Sequence, residues 1–192
     1  MDCIGLRERA AKVRRSERTG GGLGMYGVTI AFVDVLRRIN ALRKNGHSAE
    51  ALVTSVFTLE KLMRRSMRVA ILARGFTSQH AEKLLKRKGF ENLKELWPVF
   101  DKEHRNLSEL VPSQDWQHVK KSVEMRNALV HGNRAFNIKD CDSQCGYVVT
   151  VLQLLHQKVS GDYGLDPWSK LMSRRKPQLN WFPVKVASSD EV

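Results

Sequence analysis

Residues 112–132 read PSQDWQHVKKSVEMRNALVHG, and this stretch decides the fold class. Ser113 is placed to cap a helix, because its side-chain oxygen can satisfy a free backbone N–H. Asp115 follows in the first turn, where the helix dipole favours a carboxylate. Each residue turns the chain by about 100°. Trp116, Val119, Val123 and Val130 therefore share one face, and Gly132 stops the helix. Asn127 falls about 20° beyond Trp116, and Arg126 lies at the opposite border of the stripe, while Met125 points away. An amide and a guanidinium beside a packed face need partners, since burying them unpaired is costly.

The partner is sought on the other long amphipathic segment. From Ala49 to Ala73, with Ser48 as cap, the apolar residues Leu52, Val53, Val56, Phe57, Leu59, Met63, Met67 and Ala70 recur at helical spacing. Glu60 interrupts that stripe, and a Glu60–Arg126 or a Glu60–Asn127 contact would satisfy both sides. In the simpler alternative, these residues only orient two helices at the edge of the core.

The remaining segments are helical too. Val28, Phe32, Val35, Leu36, Ile39 and Leu42 give a helix from Met25 to Lys44, ended by Asn45-Gly46. Ser78 to Lys88 reads as a short basic helix closed by Gly89, and Asn92 to Phe100 as a further turn or two, interrupted at Trp97-Pro98. A last helix starts at Asp140 or Asp142 and is closed by Ser160-Gly161-Asp162. No stretch alternates with the two-residue period of a strand. The expectation is an all-α antiparallel bundle of four to five helices over residues 25–160. A basic arm precedes it at 1–24, with Arg7, Arg9, Lys12, Arg14, Arg15 and Arg18 ahead of the Gly20–Gly24 cluster. An extended tail follows at 161–192.

Charge narrows the partners. There are 33 Lys and Arg against 20 Asp and Glu, a net charge of +13. Such a field draws polyanions, with nucleic acid first and an acidic protein or anionic membrane next. Between residues 61 and 90, Lys61, Arg64, Arg65, Arg68, Lys83, Lys86, Arg87 and Lys88, with Arg74, face Glu82 as the one acidic residue. This reads as a phosphate-contact surface, which supplies affinity rather than sequence choice; a solvated helix face is the alternative. Trp168 and Trp181 are weak candidates for stacking on bases, whereas Trp116 belongs to the core.

Other chemistries find no support. Cys3, Cys141 and Cys145 are odd in number and lack zinc-site spacing, so they read as reduced thiols. Neither a metal nor a cofactor is expected. The apolar run at 27–33 is far shorter than the ~20 residues that span a bilayer, and no targeting segment is visible, so a cytoplasmic protein without a membrane role is expected.

His131 stands at the end of the opening helix, four residues after Asn127. A histidine there can simply stabilise the helix dipole, but imidazole is also the side chain suited to moving protons near neutral pH. Arg126-Asn127-x-x-x-His131 resembles the R-N-x-x-x-H signature of the HEPN superfamily. The stretch from Ala51 to Met67, with Leu59-Glu60 at its middle, resembles the second helix of that family, and the resemblance extends over residues 25–160.

The resemblance implies a metal-independent endoribonuclease whose cleft forms where two protomers meet. His131 would act as general base or acid at a ribose 2′-hydroxyl, which attacks the adjacent phosphate and leaves a 2′,3′-cyclic phosphate. Arg126 would stabilise the charge on the phosphate, Asn127 would orient the motif, and Glu60 would hold Arg126 or Asn127. It also implies a toxin–antitoxin or phage-defence setting with RNA as target and an acidic antitoxin or regulatory protein as partner; the basic arm could wrap the RNA or dock on that acidic partner. Residues five apart on a straight helix diverge by about 140°. Arg126 and His131 therefore converge only if the helix end swings His131 round or if a second chain contributes. Asn133 stands where some family toxins carry a modified Tyr, so that modification is not expected. Since some members are inactive scaffolds, a non-catalytic helical module binding RNA or a protein is the alternative.

Overall fold

A computed structural model describes residues 31–169. Six α-helices and a short 3-10 turn make up the described chain, with no strand among these residues. They are α1 (Phe32–Lys44), α2 (Ser48–Ala73), α3 (Ser78–Leu85), α4 (Phe90–Phe100), the 3-10 turn Leu107–Glu109, α5 (Ser113–Val130) and α6 (Ile138–Tyr163). The all-α expectation therefore holds, with one more helix than the four to five read from the sequence. The basic arm 1–24 and the tail beyond Ser169, Trp181 included, lie outside the described residues.

The hub of the fold is α2. Helices α1, α3, α4, α5 and α6 all pack against it, α6 most extensively. Contact on so many sides explains why Ala51, Leu52, Val56, Leu59, Leu62, Met63, Met67 and Ile71 are almost completely buried. A single amphipathic stripe would bury only one side of a helix. Facing them, α6 contributes Val148, Val151, Leu152, Leu155 and Val159. The short helix α1 is fastened to α6 by Arg43, whose Nε and Nη2 donate to the two carboxylate oxygens of Asp142 at 2.8 and 2.9 Å. Such a two-pronged charge-assisted contact fixes orientation as well as distance.

Several expected boundaries move. Ala31, in extended conformation, is the N-cap of α1, which begins at Phe32; the expected helical stretch 25–30 lies outside the described residues. Ser48 and Ser113 are first helical residues rather than caps; His47 and Pro112 occupy the cap positions. The third helix stops at Leu85 instead of Lys88, and Gly89 caps α4 rather than closing α3. Pro98 sits inside an unbroken α4. Proline removes one helical hydrogen bond and crowds the preceding turn, but Phe90, Leu93, Trp97 and Phe100 are buried on one side of this helix, and their packing outweighs that cost. The last helix starts earlier, at Ile138, because the Asn137 side chain accepts from Lys139 N at 2.9 Å. It also runs through Ser160-Gly161-Asp162 to Tyr163, where Gly164 (φ 62°) takes the left-handed turn.

A polar cluster closes the far end of α6. Asp101, just past α4 and almost fully buried, accepts from Arg105 Nε at 3.0 Å and Nη2 at 3.2 Å, and from Tyr163 Oη at 3.3 Å. Arg105 Nη2 also donates to Asp162 at 2.8 Å. Burial pushes the Asp101 carboxyl up, but the Arg105 side-chain bond and the Arg105 and Glu103 backbone N–H groups outweigh it and hold it below its ordinary value.

Candidate functional site

The packed arc of α5 is wider than its sequence suggests. Helix α5 is wedged between α2 and α6, so Met125, expected to point away, is buried, as is Ser122. Ser122 Oγ donates to His118 O at 2.7 Å and to Gln144 Oε1 of α6 at 3.1 Å. Val130, assigned to the apolar face, is 51% exposed because it lies at the very end of α5. Counted from Trp116, the arc runs from Met125 at about 180° through Ser122 to Val123 at about 340°, which puts Arg126, at about 280°, inside it rather than at its border.

Arg126 is accordingly paired. Its Nη2 donates to Glu60 Oε1, both side chains being mostly buried at 12% and 19% exposure. Of the two contacts the sequence left open, the structure contains the Glu60–Arg126 one. The guanidinium also lies over Phe57, 4.7 Å from the ring centroid, an arrangement in which the aromatic face attracts the cation. Arg126 Nε is buried without a hydrogen-bond partner among the described residues.

Asn127 and His131 take no part in that contact. Both are exposed, and neither side chain has a hydrogen bond or ion pair among the described residues. His131 is the C-cap of α5; its backbone N–H donates to Asn127 O at 3.0 Å, and Gly132 (φ 67°) turns the chain immediately after it. The turn does not carry the His131 side chain round to Arg126. Within one chain, then, Glu60 and Arg126 meet, and Asn127 and His131 stand apart from them on the solvent side.

The basic set divides in the same way. Counted from Glu60 on α2, Arg64, Phe57, Arg68, Lys61 and Arg65 fall at about 40°, 60°, 80°, 100° and 140°, forming one strip along the helix. Arg64 is committed to structure: its Nη1 and Nη2 donate to the carbonyls of Leu85 and Lys88, tying the end of α3 to α2. Lys61 and Arg65 flank Trp168, with Nζ 5.1 Å and Cζ 5.2 Å from its ring. Trp168 itself is buried, so it is not the base-stacking platform the sequence suggested. Asp166 holds that segment down, accepting from Trp168 N at 2.7 Å and lying 2.8 Å from His156 Nε2. Lys83, Lys86 and Arg87 are exposed and Lys88 half-buried.

Between α2 and α3 lies a cleft of about 600 Å³, lined by Arg64, Arg65, Arg68, Lys83 and Lys86 with Glu82 and Pro167. Comparison of the chain with known protein families, with curated proteins and with solved structures finds no match.

Among the described residues, no three His, Cys, Asp or Glu side chains converge as a metal site would require, and no helix is long and apolar enough to cross a membrane. Cys141 and Cys145 are buried free thiols on α6, raised above the ordinary thiol range by burial. Sequence reading missed the Ser122–Gln144 bond and the Asp101–Arg105–Asp162 cluster. Only the i,i+4 spacing of Asp101 and Arg105 hinted at the second.

Proposed function

We propose that this chain is an HEPN-type endoribonuclease acting on RNA as a homodimer, in a toxin–antitoxin or phage-defence setting. The observation that carries this reading is the Arg126–Glu60 pair between α5 and α2. It joins the two segments whose sequences resemble the family, at the residues that carry the resemblance. The net charge of +13 suits a polyanionic substrate.

The chemistry is the one that the family resemblance implies. His131 removes the proton from a ribose 2′-hydroxyl as that oxygen bonds to the neighbouring phosphorus. The bond from phosphorus to the 5′-oxygen breaks, the 5′-oxygen leaves with a proton from solvent or an imidazolium, and the 2′,3′-cyclic phosphate remains. Arg126, held by Glu60 and Phe57, stabilises the negative charge on the phosphoryl oxygens, and Asn127 orients the strand. Since His131 and Arg126 diverge on α5, a second copy completes the cleft. Phe57 and Val130, 47% and 51% exposed beside Arg126, provide apolar surface for it.

The second reading is a non-catalytic helical module that binds RNA or a protein partner. The lack of a side-chain partner for His131 among the described residues favours it, because a general base is ordinarily oriented by a neighbour.

Cleavage of a mixed RNA pool in EDTA by wild type and His131→Ala separates the two. Cutting by wild type alone supports the metal-free nuclease. RNA binding without cutting supports the module, and cutting by both removes His131 from the mechanism.

A further inference from the structure

The cations around the α2–α3 cleft are unevenly employed. Arg64 is spent on the carbonyls of Leu85 and Lys88, and Arg65 lies against Trp168 with its Nη2 3.5 Å from Ser169 O. Arg68, Lys83 and Lys86 form no ion pair among the described residues, although Glu82 lines the same cleft. Arg68 Nε is also buried with no hydrogen-bond partner there. A partly buried guanidinium with no counter-charge is costly, and an anion seated in the cleft beside it would lower that cost. The crowding is electrostatic as well: burial lowers the Arg65 pKa, and the Arg68 charge lowers it further against the pull of Asp166. Concavity separates this arrangement from a solvated helix face, because cations from two helices converge on one volume. At about 600 Å³ the cleft is of a size that takes a small ligand.

We propose that the cleft between α2 and α3 is a phosphate-binding subsite for an RNA strand, with Arg68, Lys83 and Lys86 as its donors and Arg64 as its structural wall. The proposal rests on the RNA reading given above and extends it to a position away from the proposed chemistry. Arg68 lies eight residues beyond Glu60, roughly 12 Å along α2. A strand cut beside Arg126 then runs over Lys61 toward the cleft, where a downstream or upstream phosphate is held. A phosphate offers several acceptor oxygens to converging donors, as this geometry demands.

Binding of a fluorescent 12-nucleotide single-stranded RNA, followed by anisotropy across a salt series, tests this. All variants carry His131→Ala to prevent cutting. The cleft variant is Arg68→Gln/Lys83→Gln/Lys86→Gln. A control, Lys44→Gln/Lys120→Gln/Lys121→Gln, loses the same charge from exposed positions elsewhere. The pair Lys83→Gln/Lys86→Gln, both exposed, covers the case in which loss of Arg68 perturbs folding, which thermal melting reports.

The cleft variant is expected to bind roughly tenfold or more weakly at low salt, with a salt slope shallower by about 2, as removal of three phosphate contacts on a single strand requires. The control is expected to lose much less. Equal losses in the two triple variants, or undiminished binding by a folded cleft variant, overturn the subsite and leave the RNA reading standing. A wild-type chain that binds no RNA overturns both. Uridine 5′-monophosphate and inorganic phosphate serve as competitors. Weak displacement supports the strand, and tight uptake of the mononucleotide without RNA binding overturns it in favour of a free nucleotide.

Discussion

Arg126 and Glu60, 66 residues apart in sequence, form a mostly buried ion pair that joins α5 to α2, with the ring of Phe57 beneath the guanidinium. Its energetics are those of two charges withdrawn from water, where losing one partner harms more than losing both. Glu60→Ala and Arg126→Ala are each expected to cost about 2–3 kcal/mol in urea unfolding, with Glu60→Leu/Arg126→Met costing less than either. Strict additivity of Glu60→Ala and Arg126→Ala in a double-mutant cycle would show that the contact is not coupled.

Arg64 has a different role from its neighbours on the basic strip. Its two bonds to the Leu85 and Lys88 carbonyls hold α3 and the following turn, in which Arg87 has φ 56°. Arg64→Met is therefore expected to destabilise by about 1–3 kcal/mol, the cost of leaving partly buried acceptors unpaired. Hydrogen exchange should rise in residues 78–88 ahead of the rest of the chain. Exchange that rises uniformly would contradict this.

Acid should unfold the protein through its paired carboxylates. Asp101 and Asp142 both have folded pKa values below their ordinary range, Asp142 chiefly through its bond from Arg43. A depressed folded pKa stabilises above the unfolded value and loses that contribution as pH falls through the folded one. Stability should thus be maintained down to about pH 4 and decline below it. Asp142→Asn should be less stable at pH 7 and lose less between pH 4 and pH 2, a difference that denaturant melts at each pH measure.

Tyr163 makes the same cluster sensitive to base. Burial pushes its phenol well above the ordinary range, so the stability it contributes is present below about pH 10 and lost as pH rises further. Tyr163→Phe should flatten the alkaline limb of the stability profile. A limb of unchanged slope would place the base sensitivity elsewhere.

Cys141 and Cys145 should resist thiol reagents in the folded state. Both are buried, and burial disfavours their thiolates, which are the reactive forms. In a Cys3→Ser chain at pH 8, labelling is expected to be slow in buffer and to reach two thiols promptly in denaturant. Rapid labelling in buffer would mean that α6 opens locally.

Helix type, the apolar residues of each long helix and the suspicion that Glu60 and Arg126 answer one another were legible in the sequence, because helical periodicity and out-of-place charges are local signals. What neighbours on several sides do to a helix is not local. Met125 is buried and Val130 exposed because α5 is held between α2 and α6 and ends at His131. Pro98 is carried within α4 because the packing of four large side chains exceeds the loss of one backbone bond.

The sequence by itself determined an all-helical, strongly cationic chain and narrowed the partner of Glu60 to Arg126 or Asn127; the packing of α5 on α2 selected Arg126. Only the tertiary structure decided which cations are available. Arg64 and Arg68 are four residues apart on one face of α2 and chemically identical, yet the end of α3 lies within reach of Arg64 and occupies it. Arg68 opens on the cleft with its Nε unsatisfied among the described residues. The same holds for Asn127 and His131, which the motif groups with Arg126 but which the packing leaves exposed while Arg126 is mostly buried against Glu60 and Phe57.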